Sequence, residues 1–137
     1  MRPFWLESLQ VERLTIAIAG LPAALQGIKL VQWSDLHCDA QHLPVAVLQE
    51  AIAITNQEKP DLIFLTGDFI TYSPQPIFTL VESIKALKSQ GGIYACLGNH
   101  ESYLPDARET VRSALTSVGI RVLWNEIATP YGENFPI

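Results

Sequence analysis

Five polar side chains occupy equivalent places along this chain. Asp35-Leu36-His37 follows the apolar run at residues 28–34, Gly67-Asp68 follows residues 61–66, and Gly98-Asn99-His100-Glu101 follows residues 93–97. Two carboxylates, an amide and two imidazoles therefore stand directly after three hydrophobic segments. The chain has 3 histidines, and two of them belong to this set. Carboxylates gathered at one place repel unless a cation lies between them. Oxygen donors mixed with imidazole suit Mn, Fe or Zn better than Ca or Mg. In an extended segment residues i and i+2 face the same side, so Asp35 and His37 are expected to grip one ion together. The glycines before Asp68 and Asn99 are expected to let the backbone turn sharply and approach a ligand.

The elements that must position these groups alternate. Residues 14–19 are β-prone and end at Gly20-Leu21-Pro22, and residues 28–34 form a second strand candidate. Val47, Leu48, Ala51, Ile52 and Thr55 recur at helical spacing within residues 43–56, with Pro44 tolerable in the first turn. Lys59-Pro60 halts that helix, and the unalternating run at residues 61–66 reads as a strand buried on both faces. Ile77, Leu80, Val81, Ile84 and Leu87 mark a second helix that stops at Gly91-Gly92. A strand at 93–97, a helix at about 105–118 ending on Gly119, and a short strand at 120–123 complete the order. Strands alternating with helices predict right-handed crossovers and an α/β fold with a mainly parallel sheet and flanking helices. Ligands of such sheets bind beyond the carboxyl ends of the strands, where all five polar residues are expected.

Asp-x-His, Gly-Asp and Gly-Asn-His-Glu, in that order after successive strands, resemble the calcineurin-like metallophosphoesterases. The phrases VQWSDLH, KPDLIFLTGDFIT and GGIYACLGNHE look most like bacterial membrane-lipid-associated members, and the likeness covers residues 11–127. The resemblance implies metal-dependent hydrolysis of a phosphomonoester or phosphodiester at two divalent ions (Mn, Fe or Zn). It implies that Asp35 and His37 bind the first ion, Asp68 bridges both, and Asn99 binds the second. His100 would contact the phosphate and protonate the leaving alkoxide, with a water activated by the metals as nucleophile. Family members carry a later histidine and a Gly-His-x-His pair, whereas no histidine follows His100 here. This chain would then hold one ion rather than two. The family fold is a four-layer αββα sandwich, and 137 residues suffice for about half of it, with one sheet face left bare. Residues 1–137 are accordingly expected to be a single, incomplete domain whose C-terminal half is missing. The alternative is a catalytically impaired remnant serving as a metal-binding or protein-interaction module.

Composition narrows the remaining classes. Hydrophobic residues make up 48% and charged residues 17%, too apolar for a disordered chain. A net charge of −5 argues against a nucleic-acid groove. Cys38 and Cys96 form no zinc or disulfide pattern. Cys38 would lie near the first metal, and Cys96, within a strand, is expected in the core. No Gly-x-Gly-x-x-Gly or Gly-Lys-Ser/Thr loop follows a strand, which counts against a nucleotide-binding domain. The N-terminus shows no apolar signal-peptide core, and no run reaches the roughly 20 residues of a spanning helix. A cytoplasmic or peripheral-membrane location is expected; Phe4 and Trp5 are expected to pack in the ordinary way, with membrane contact or the remnant of an anchor as the alternative. His42 is expected to face solvent, and Glu101 to open a loop or, as the alternative, to orient His100.

Overall fold

A computed structural model describes residues 9–39 and 42–137. Phe4 and Trp5 lie outside the described residues. Four strands, β1 (Leu30–Ser34), β2 (Leu62–Thr66), β3 (Ile93–Cys96) and β4 (Arg121–Val122), form one parallel sheet in the order β1-β2-β3-β4. Helix α1 (Val45–Glu58) joins β1 to β2, and α2 (Ile77–Ile84) joins β2 to β3. Between β3 and β4 come the single turn α3 (His100–Tyr103) and then α4 (Ala107–Ser117). The α/β class and the parallel sheet expected from the sequence are both present.

Strand register explains which face became the core. Val31 pairs with Ile63 and Ile63 with Ile93, while Trp33, Leu65, Ala95 and Val122 form the next row across the sheet. These residues pack with Leu48 and Ile52 of α1, Ile77, Leu80, Val81 and Ile84 of α2, and Val111, Ala114 and Leu115 of α4 in one hydrophobic cluster. The helices therefore cover the Val31/Trp33 face, as successive crossovers stepping one way across a sheet require. The opposite face carries Gln32, Phe64, Tyr94 and Arg121 in one row and Ser34, Thr66 and Cys96 in another. None of these seven is buried. Leu30, on the same face, is 54% exposed.

Several elements depart from sequence expectation, among them α2, which ends at Ile84 and does not run on to Gly91-Gly92. Residues 14–19 form no strand, and Leu14 is 81% exposed. Their β propensity is real but a strand needs a partner, and no described strand pairs with them. Cys96 is exposed instead of buried, because alternation along β3 turns it onto the uncovered face. Helix α1 starts one residue after Pro44, which serves as its N-cap. Its other end follows the sequence reading: Lys59 takes a left-handed C-cap conformation at φ 51° and Pro60 follows. Gly119 likewise closes α4 at φ 83°. No described helix is long and apolar enough to cross a membrane.

Candidate metal centre

The loops leaving β1, β2 and β3 at their carboxyl ends are bound to one another. Beyond β1 the chain continues to pair with the loop after β2: Asp35 N–H donates to Gly67 O (3.2 Å), His37 N–H to Asp68 O (2.9 Å) and Cys38 N–H to Phe69 O (2.7 Å). This segment is not extended as the sequence reading assumed. Asp35 and His37 have φ of 53° and 41°, and Asp68 has φ 50°. Left-handed backbone at non-glycine residues is costly, about 1–3 kcal/mol each, and collects where a site must be held open.

The loops after β2 and β3 touch through their glycines. A Cβ on Gly67, itself at φ 74°, would stand 2.9 Å from Gly98 Cα. A Cβ on Gly98 would stand 2.5 Å from Asp68 N. The two glycines thus admit the close approach of each other's loops.

Glu101 closes this junction. It is fully buried, and its carboxylate accepts four backbone N–H bonds: Phe69 (2.7 Å) and Ile70 (3.2 Å) on Oε1, Asp68 (3.1 Å) and Gly98 (2.7 Å) on Oε2. It is a buried tie between two loops and not the loop residue the sequence suggested. The turn after β2 directs consecutive N–H groups inward, and such donors need an acceptor. No pattern in the sequence displays that need, because it arises only where the two loops meet.

On this frame His37, Asp68 and His100 converge, with one donor atom from each lying within 4.8 Å of the others. All three side chains are half-buried. The imidazoles meet edge to face, centroids 4.9 Å apart at 86°. Asp68 Oδ1 accepts the His100 backbone N–H at 3.0 Å, which ties the second strand's carboxylate to the third strand's loop. Asp35 lies outside this trio: its carboxylate is exposed and accepts a bond from the Ser34 hydroxyl. Asn99 is exposed at the N-cap of α3.

Thr71 and Asp39, which sequence reasoning did not single out, back the histidines. Thr71 Oγ1 lies 3.2 Å from His37 Nδ1 and donates to Asp39 Oδ2 at 3.0 Å, while Thr71 O lies 3.2 Å from His100 Nδ1. His42 is exposed as expected, but its Nδ1 pairs with Asp39 Oδ2 at 2.7 Å. Cys38 is buried behind the loop, and burial pushes its thiol up to about 12, with the Asp39 and Glu101 carboxylates adding to the rise. A thiol so rarely ionised is neither a ready ligand nor a ready nucleophile.

A carboxylate and two imidazoles on the carboxyl rim of a parallel sheet make this an α/β protein with a cluster of side chains that could hold a metal ion. Residues 28–135 match the calcineurin-like phosphoesterase family, and the chain belongs to that family. It is 32% identical over 107 residues to Phosphodiesterase YaeI of Escherichia coli (strain K12), covering 74% of this chain and 39% of that protein. It is 30% identical over 113 residues to a zebrafish (Danio rerio) transmembrane protein with metallophosphoesterase domain, covering 82% of this chain and 25% of that protein. The UDP-2,3-diacylglucosamine pyrophosphatase LpxG of Chlamydia muridarum (strain MoPn / Nigg) is 34% identical over 94 residues, covering 68% of this chain and 28% of LpxG. The chain thus spans well under half the length of these three relatives.

Proposed function

We propose that the protein acts as a metal-dependent phosphoesterase, cleaving a phosphomonoester or phosphodiester, with Asp35, His37, Asp68 and Asn99 as ligands of a dinuclear centre and His100 as general acid. The observation that carries this reading is the convergence of His37, Asp68 and His100 within 4.8 Å in a chain of this family. Two relatives named a phosphodiesterase and a pyrophosphatase support phosphate esters and anhydrides as the substrate class.

The proposed ligands fit a divalent transition ion, since one borderline imidazole nitrogen, from His37, beside carboxylate and amide oxygens favours Mn, Fe or Zn. Such ions, when bound, supply positive charge against the phosphoryl oxygens and lower the pKa of water. The chain's own part is placement. His37 and Asp68 would hold the ion from two loops already bonded to each other, with Asp35 as a further ligand from the loop after β1. His100, anchored through Nδ1, presents Nε2 as the atom that carries the proton to the leaving oxygen.

The second ion has only Asp68 and Asn99 in this sequence, so residues 1–137 are read as one domain incomplete for the two-ion chemistry. Further donors would come from additional chain or from a partner. A peripheral position at a membrane belongs to the same proposal, supported by a lipid-named relative and a transmembrane one.

Hydrolysis of p-nitrophenyl phosphate and its bis ester with added Mn tests the assignment. Metal-dependent turnover is expected, and Asp68→Ala should reduce it by more than the roughly 10–100-fold cost of losing an outer-shell partner. Absence of turnover with Mn, Fe and Zn would contradict catalysis by this chain. It would favour the second reading, a metal-binding or interaction module. The observation on that side is that the trio is the only such cluster of His, Cys, Asp or Glu among the described residues.

A further inference from the structure

Thr71 touches both site histidines, each through a different atom. Its hydroxyl lies 3.2 Å from His37 Nδ1 and its carbonyl oxygen 3.2 Å from His100 Nδ1. A hydroxyl has one hydrogen, and that of Thr71 is committed to Asp39 Oδ2 at 3.0 Å, since a carboxylate only accepts. Thr71 Oγ1 can therefore only accept from His37, which places the hydrogen of that imidazole on Nδ1. A carbonyl oxygen also only accepts, which places the hydrogen of His100 on Nδ1 as well. Asp39 is itself held, accepting from the His42 backbone N–H at 2.8 Å and pairing with the His42 ring.

We propose that Thr71 is a positioning residue that fixes the tautomer of both histidines, with Asp39 orienting its hydroxyl, so that Nε2 of each ring is the free nitrogen. For His37 the consequence is a lone pair on Nε2 ready for a cation, because the bond made by one ring nitrogen sets what the other can do. For His100 the consequence is an Nε2 that takes up and gives back a proton while Nδ1 stays anchored. The two locks separate chemically. Replacing the Thr71 side chain removes the one on His37 and leaves the backbone bond to His100 in place. The effect on metal affinity rests on the phosphoesterase reading; the tautomers do not.

Long-range 1H–15N spectra of the full chain, 15N-labelled at histidine, metal-free and at about pH 8 where an ordinary imidazole is neutral, give the test. The wild type should show His37 and His100 as single Nδ1–H tautomers. Thr71→Val should leave His100 unchanged and convert His37 to a mixture containing the Nε2–H form, with Thr71→Ser restoring the wild-type pattern. Asp39→Ala, which frees the hydroxyl hydrogen to turn toward His37, should also admit the Nε2–H form. Manganese binding, read by the electron paramagnetic resonance of the free ion, should weaken by about 10–100-fold in Thr71→Val and recover in Thr71→Ser. An Nε2–H form at either histidine in the wild type would overturn the assignment, even if Thr71→Val fails to fold. So would an unchanged His37 in folded Thr71→Val. A wild type with both Nδ1–H forms and no affinity for Mn would uphold the tautomer lock and remove the metal reading instead.

Discussion

At the amino ends of the strands, Lys29 and Asp61 join β1 to β2: Lys29 N–H donates to Asp61 Oδ2 (2.7 Å) and Asp61 N–H to Lys29 O (2.9 Å). Lys29 is exposed, Asp61 is half-buried, and neither has left-handed backbone. At the carboxyl ends the loops after β2 and β3 are joined by Glu101, fully buried and surrounded by four N–H donors. Three of the six non-glycine described residues at positive φ, namely Asp35, His37 and Asp68, stand at that rim. The other three, Lys59, Asp106 and Asn125, lie at helix caps or in the bend after β4, where such backbone is ordinary. One end of the sheet is thus closed with inexpensive surface chemistry. The other concentrates a buried charge and strained backbone around the polar trio. A sheet needs no such arrangement to be stable, and the contrast is the one expected if the proposed site lies at the rim.

Removing the two carboxylates should expose this contrast most strongly. Glu101→Ala leaves four backbone donors without an acceptor, each worth about 1–3 kcal/mol, and should cost on the order of 4 kcal/mol or more in urea unfolding. Asp61→Ala, which leaves the single Lys29 donor near solvent, should cost about 1 kcal/mol. Equal losses would mean that the two ends are held alike. Glycine substitutions sharpen the comparison at a smaller scale. Gly98→Ala forces a Cβ to 2.5 Å from Asp68 N, and should lower stability by about 1–3 kcal/mol while disturbing the site. Gly119→Ala, at φ 83° with nothing within 4 Å, should cost only the backbone strain of about 1 kcal/mol.

The smallest effect concerns the cysteines. At about pH 8 a thiol reagent should titrate exposed Cys96 quickly and reach Cys38 only on unfolding. Since burial raises the Cys38 pKa from 9.0 to about 12, the folded protein holds that proton where the unfolded chain releases it. Its contribution is fully present below pH 9.0 and is lost as pH rises toward 12. Unfolding measured across that alkaline range should therefore show stability falling, and a Cys38→Ala variant should show less of the fall.

Much of this was readable from residue pattern alone. The unalternating run ending at Thr66 announced a central strand, and the spacing of Ile77, Leu80, Val81 and Ile84 announced the helix packed on it. The polar residues placed after each strand were enough to locate the rim. What stayed hidden depended on contacts between distant segments. Residues 14–19 have the propensity of a strand, but pairing is a property of a neighbour. Glu101 looks like any acidic residue opening a loop until four N–H groups from two strands' loops are seen around it. Cys96 sits in a strand, yet whether that strand face is covered cannot be known from the strand. Thr71 carries no motif signal, because half of its role belongs to a carbonyl oxygen that every residue possesses.

Calorimetric titration of the full chain with Mn, beside Asp68→Ala and His37→Ala, measures the central claim most directly. One ion should bind the wild type, with affinity falling by more than about 100-fold in both variants while the circular dichroism spectrum is retained. Equal binding by all three proteins, or none by the wild type, would show that the carboxyl rim is not a metal centre.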